Sequence, residues 1–209
     1  MGIKHKMVFS ESERKKVAYH EAGHALATYF LQPFKDVFKI SIAARGGALG
    51  MVVPHPREEL HIHTKEELLG NIKSFLGSYA AEKLQFGTTT TGVSEDFRQA
   101  MFYAHNMVWK FGMGKSGMVG DYSLLESMHD SMGVFRGEKV SFISEKIKEQ
   151  LNSETQTILQ ECLKEVEELL RKETALLDRF AKELLVNEEL EYDEIEAIFK
   201  EFGKSRPAL

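Results

Sequence analysis

His20-Glu21-Ala22-Gly23-His24 lies inside residues 13–31, a stretch whose apolar spacing predicts a helix. Residues four apart share one helical face, so the two imidazoles point the same way and can share a metal ion. Glu21 sits one residue round from His20, within reach of a water held by that ion. Catalytic zinc keeps three protein ligands and one open position, and its bound water has a pKa of roughly 7. Five residues thus supply two ligands and a general base, and a third ligand must come from elsewhere. Val17, Ala25, Leu26 and Tyr29 give the segment an apolar side. Gly23 costs about 1 kcal/mol relative to alanine inside a helix, which implies that something packs close to the backbone there.

Working outward, Ser10 and Glu13 form a capping box that opens this helix, and Pro33 marks its end. Residues 37–42 alternate as a strand, residues 43–47 turn, and residues 48–53 read as a second strand ahead of Pro54 and Pro56. Thr64 and Glu67 cap a helix whose apolar spacing lasts to Phe86. A threonine-rich loop follows, and a third helix starts at Ser94 or Glu95 and runs to about Phe111, stopped by Gly112 and Gly114. Residues 113–137 are glycine-rich without a clear period and read as loop. Helices are expected at 141–172, 173–186 and 193–201, the last capped by Asp193 and Glu196. The fold class is mainly α with a small β-hairpin or sheet (α+β). The chain reads as one domain over 1–209: a zinc-site half at 10–112, a glycine-rich loop at 113–140, and C-terminal helices at 141–203.

Composition narrows the partners. The 209 residues are 43% hydrophobic and 28% charged, enough for a core and ordinary for a water-soluble domain. Net charge is −5, from 27 basic and 32 acidic residues, with no basic block, which argues against nucleic acid. Cys162 is the single cysteine, reads as a buried small side chain, and fits a reducing compartment. No apolar run approaches bilayer length, and the first residues lack a signal-peptide core. As given, the chain reads as cytoplasmic, and as membrane-associated if it belongs to a longer anchored protein.

For the third ligand, Asp96, or failing that Glu95, is the best candidate, because a threonine-rich loop and an acidic helix start can hold a carboxylate in one place. The competing reading is that both acids only complement the helix dipole, worth about 0.3–1 kcal/mol. Residues alone leave the two even. His105 reads as half-buried, and His55, His61 and His63 as solvated histidines of a polar loop.

The segment from Val17 to Ala25 resembles the zinc motif of the FtsH-type ATP-dependent metalloproteases. Arg45 to Gly50, Thr64 to Leu69, Ala80 to Gly87, Thr91 to Phe97 and Met107 to Met113 resemble further blocks of that family's peptidase domain, in the same order. The resemblance implies that His20, His24 and Asp96 bind Zn2+ and that Glu21 is the general base. It also implies that Glu82 stands near the metal and orients a ligand imidazole; on its own Glu82 reads as a surface charge. The implied activity is endopeptidase cleavage of unfolded polypeptides, with an AAA+ ATPase in cis or trans and hexameric assembly. Ala44, Gly77-Ser78-Tyr79 and Glu95 depart from the family pattern, and no phosphate-binding loop or membrane helix occurs. Two other readings are a non-proteolytic oligomerisation or adaptor module with a structural or vestigial zinc, and a zinc hydrolase of small amides. In the endopeptidase reading, strand 48–53 offers an edge to an extended substrate.

Overall fold

A computed structural model describes residues 10–43, 50–59, 61–132 and 142–206, with side chains left out at 128–132. Helix α1 (Glu11–Leu31) opens on Ser10, whose Oγ accepts the Glu13 N–H at 3.2 Å while Glu13 returns to the Ser10 N–H at 2.9 Å. Strands β1 (Lys35–Ser41) and β2 (Met51–Pro56) follow, then α2 (Lys65–Phe86). Thr64 and Glu67 box the start of α2, and Gly87 ends it in the left-handed region, at φ 67°. A 3-10 turn (Thr91–Val93) leads into α3 (Ser94–Trp109). Next come α4 (Tyr122–Met132), α5 (Glu145–Lys172), α6 (Thr174–Asn187), β3 (Glu189–Glu191) and α7 (Tyr192–Glu201).

Helices α1 and α2 pack antiparallel: His20 meets Glu82, Gly23 meets Gly77, His24 meets Ser74, and Gln32 meets Glu67. The two glycines explain the intimacy of this pair. A Cβ on Gly23 would lie 2.4 Å from the Gly77 carbonyl oxygen and 2.6 Å from the Ala81 Cβ. Gly23 therefore packs against a neighbouring backbone, as its cost inside a helix implied. Beneath them α5 buries Leu151, Ile158, Cys162, Val166 and Leu170, spaced four or seven apart along one face. Helix α6 runs along α1, where Tyr19 donates to Asp178 at 2.7 Å, and α7 stacks Phe199 on Tyr29.

The sheet is antiparallel in the order β2-β1-β3, with a bulge between Val37 and Lys39. Several expectations need correcting. Strand β2 runs through Pro54 and Pro56 rather than stopping before them. It can do so because it is an edge strand: Arg57 N–H donates inward to Phe34 at 3.0 Å, so alternation turns the proline nitrogens outward, where no ladder bond is lost. Residues 44–49, holding most of the expected turn and the start of that strand, lie outside the described residues. The expected loop at 113–137 contains α4, and β3 was not expected at all. The last helix starts one residue earlier than expected, and its capping box pairs Glu191 with Glu194 instead of Asp193 with Glu196.

Candidate metal and active site

Three elements converge on one point. Helix α1 presents His20 and His24 side by side, their rings edge-to-face with centroids 4.9 Å apart. The start of α3 presents Asp96, whose Oδ2 lies 3.3 Å from His20 Nε2 and whose Oδ1 lies 3.3 Å from His24 Nε2. All three ligating atoms fall within 4.8 Å of one another, and no other such cluster of His, Cys, Asp and Glu occurs among the described residues. Two atoms each about 2.0–2.1 Å from a tetrahedral ion stand roughly 3.3–3.4 Å apart, so the donor set fits zinc in both chemistry and spacing. Histidine, histidine and aspartate, with no fourth protein group among the described residues, is also the composition of an open, catalytic type of site rather than a closed structural one.

Helix α2 aims these groups. The Ser74 carbonyl lies 2.8 Å from His24 Nδ1, Ser78 Oγ donates to Asp96 Oδ2 at 2.7 Å, and Glu82 Oε1 lies 2.8 Å from His20 Nδ1. Residues 74, 78 and 82 form one stripe at four-residue spacing, matching the two histidines opposite. With a carbonyl and a carboxylate on the Nδ1 atoms, each imidazole keeps a proton at that nitrogen and turns Nε2 toward Asp96. Glu82 is almost fully buried, with 1% of its surface exposed, and its Oε2 accepts the Thr90 N–H at 2.5 Å. Thr90 Oγ1 adds a bond to Glu82 Oε1 at 3.0 Å.

The electrostatics follow from this packing. Burial disfavours a charged His20, but the carboxylates of Asp96 and Glu82 outweigh it and raise its pKa to about 10. His24 is also raised: burial opposes charge and Asp96 overrides it. Burial likewise opposes ionisation of Asp96, yet its bonds to His20, His24 and Ser78 hold it far below the usual carboxylate range. Glu82 is lowered too, since His20 and Thr90 overcome its burial. Glu21 goes the other way. Burial raises its pKa, against the pull of His24 and His20. A carboxylate shifted upward beside a polar centre is suited to taking and returning a proton.

Glu21 is covered by Gly50 at the entrance to β2, where a Cβ would lie 2.4 Å from Glu21 Oε1. A cleft of about 780 Å³ runs past His20, Glu21, His24 and Asp96, with Gly50 to Val52 and Pro54 along one wall.

Glu95 turns away from the cluster. It bonds Arg98 at 2.7 Å and Gln99 at 2.8 Å, and Arg98 chiefly holds its pKa down at about 2. His105 is half-buried and stacks on Trp109, while His63 approaches Glu67 at 3.4 Å, and neither it nor His55 or His61 joins the cluster. Cys162 is buried, as expected. Ser74, Ser78, Thr90 and Gly50 were not anticipated as parts of the site. The signal for two of them was present: Ser74 and Ser78 extend the four-residue spacing back from Glu82 in a helix with a largely apolar face.

The family model for peptidase family M41 matches residues 7–198. The chain belongs to peptidase family M41. Curated relatives of this M41 domain include proteins named ATP-dependent zinc metalloprotease FtsH. That of Borreliella burgdorferi is 37% identical over 93% of this chain and 30% of its own length. That of Thermobaculum terrenum is 36% identical over 99% of this chain and 32% of its own length. The corresponding figures for Nitrosococcus oceani are 36%, 96% and 31%. The chain thus spans about a third of the relatives it matches. No helix among the described residues is long and apolar enough to cross a membrane.

Proposed function

We propose that this M41 domain is a zinc-dependent endopeptidase acting on unfolded polypeptides. The observation that carries the reading is the convergence of His20 Nε2, His24 Nε2 and Asp96, with Glu21 buried beside them, on the wall of a long cleft. His20, His24 and Asp96 would hold the ion. When bound, zinc supplies a Lewis acid that acidifies solvent and polarises a carbonyl. Glu21 takes the proton of the attacking water and returns it to the leaving amine. Glu82, the Ser74 carbonyl and Ser78 keep the ligands aimed. The outer edge of β2, which pairs only with β1 among the described residues, offers main-chain groups to an extended substrate near Gly50 to Val52. Recognition through backbone suits chains that have already lost their fold. In this reading an AAA+ ATPase, in cis or in trans, does the unfolding, and the peptidase domain works within a hexamer.

The test is casein degradation by the purified chain with and without a chelator, followed by zinc restoration. Expected is loss and recovery of cleavage, and its abolition in Glu21→Gln with zinc content retained. Turnover by Glu21→Gln at the unsubstituted rate would reject the assignment of the base.

A further inference from the structure

We propose that Lys35 makes the cleft selective for substrates that carry a carboxylate close to the scissile bond, an inference that rests on the endopeptidase reading. Beyond His24 and Ser74 the cleft continues one helical turn, about 6 Å, to Thr28 on α1 and Asn71 on α2. Lys35, the first residue of β1, lines this end. Its ammonium donates to Asn71 Oδ1 at 2.8 Å. That oxygen also accepts Gln32 Nε2 at 2.9 Å, and Gln32 Nε2 donates onward to the Glu67 carbonyl at 3.1 Å. The Asn71 amide is therefore oriented from two sides, and it holds Lys35 in place without neutralising it.

Two other lysines of these elements are treated differently, whereas Lys65 at the start of α2 donates to the Met113 carbonyl at 2.8 Å. Lys39, on the same strand, bonds both Glu189 and Glu191, and Lys73, on the same helix as Asn71, bonds Glu165. Lys35 has no carboxylate within ion-pair distance among the described residues. Glu67 is the acidic group that acts on its charge, but that carboxylate is committed to the Thr64 N–H at 2.8 Å and to His63. Burial accordingly pulls the Lys35 pKa down, with Glu67 opposing. A half-buried cation with two N–H groups unspent beside a metal centre is a receptor for an anion that the chain itself does not provide. The opposite end of the cleft, by His20, is lined by Glu13 and Glu95 as well as Lys16, so it does not favour an anion.

Quenched fluorescent peptides of one sequence, C-terminally amidated, with Glu, Gln or Lys at each of the three positions either side of the cut, test this. Expected is a kcat/KM about tenfold higher for Glu than for Gln at one fixed position, carried mainly in KM, with Lys the poorest. Taking the Glu-to-Gln ratio within each variant cancels any general change in activity. The ratio should survive in Lys35→Arg, fall to about one in Lys35→Gln, and give way to a preference for Lys in Lys35→Glu. A peptide ending in a free carboxylate within the same window distinguishes a chain terminus from an acidic side chain. Either preference, lost in Lys35→Gln, supports the assignment. An unchanged ratio in Lys35→Gln overturns it. If casein is cleaved but no position shows a preference, this inference fails and the peptidase reading stands. If neither casein nor any peptide is cleaved with zinc restored, both fall.

Discussion

Replacing Glu82 by glutamine exchanges one oxygen for an NH2 group and leaves the amide no satisfactory orientation. In the native site one oxygen faces His20 Nδ1 and Thr90 Oγ1 and the other faces the Thr90 N–H. With the amide oxygen toward His20, the NH2 meets the Thr90 N–H, donor against donor. Flipped, the NH2 faces His20 Nδ1 and favours the tautomer with its proton on Nε2, the atom that points at Asp96. Loss of such a partner typically weakens metal affinity about 10- to 100-fold, equivalent to roughly 1.4–2.8 kcal/mol. Competition with a chromophoric chelator at pH 7 measures this directly. Glu95→Gln is the control, since that side chain is exposed and bonds Arg98 and Gln99 instead of the ligands. Zinc affinity in Glu82→Gln within twofold of the native value would refute the account of how His20 is aimed.

Asp96→Asn should lower zinc stoichiometry, because the amide removes the charge that two imidazoles face; unchanged stoichiometry by elemental analysis would move the third ligand elsewhere. Gly23→Ala gains about 1 kcal/mol of helix propensity but drives a methyl into the Gly77 carbonyl, and overpacking of that kind costs about 1–3 kcal/mol. Urea denaturation should therefore show net destabilisation, and a stabilised variant would contradict the backbone-to-backbone contact. Burial pushes the Cys162 thiol up to about 12. Its folded pKa exceeds the unfolded value of about 8.5, so the stability it contributes is complete below that pH and is lost as pH rises toward 12. At pH 8 the thiol should resist a disulfide reagent until denaturant is added, and fast reaction in the native protein would place Cys162 at the surface.

The readable parts of this chain are those whose cause is local. Ser10 with Glu13 and Thr64 with Glu67 each place two bonds within four residues, so both helix starts could be read from four letters. His20, Glu21 and His24 are likewise fixed by spacing along one helix. The choice between Glu95 and Asp96 is not, because adjacent residues on a helix point about 100° apart and only the packing of α3 on α2 decides which one faces inward. Glu82 looks like a surface charge until Thr90 and His20 are folded onto it. Strand β3 has three residues and owes its form to pairing with β1, and α4 is short and lies among glycines. Glu191 is an unusual N-cap, which hid the start of α7 behind Asp193.

The three supports at Ser74, Ser78 and Glu82 come from a single helix, and the atoms that fix its distance from α1 are main-chain atoms. A slip of α2 along α1 would therefore misdirect both imidazoles and the aspartate together, leaving no half-competent intermediate. Metal retention becomes a gauge of helix registration, and an ion bound there acts as a rivet between α1 and α3, whose ligands His24 and Asp96 stand 72 residues apart in the chain (96 − 24).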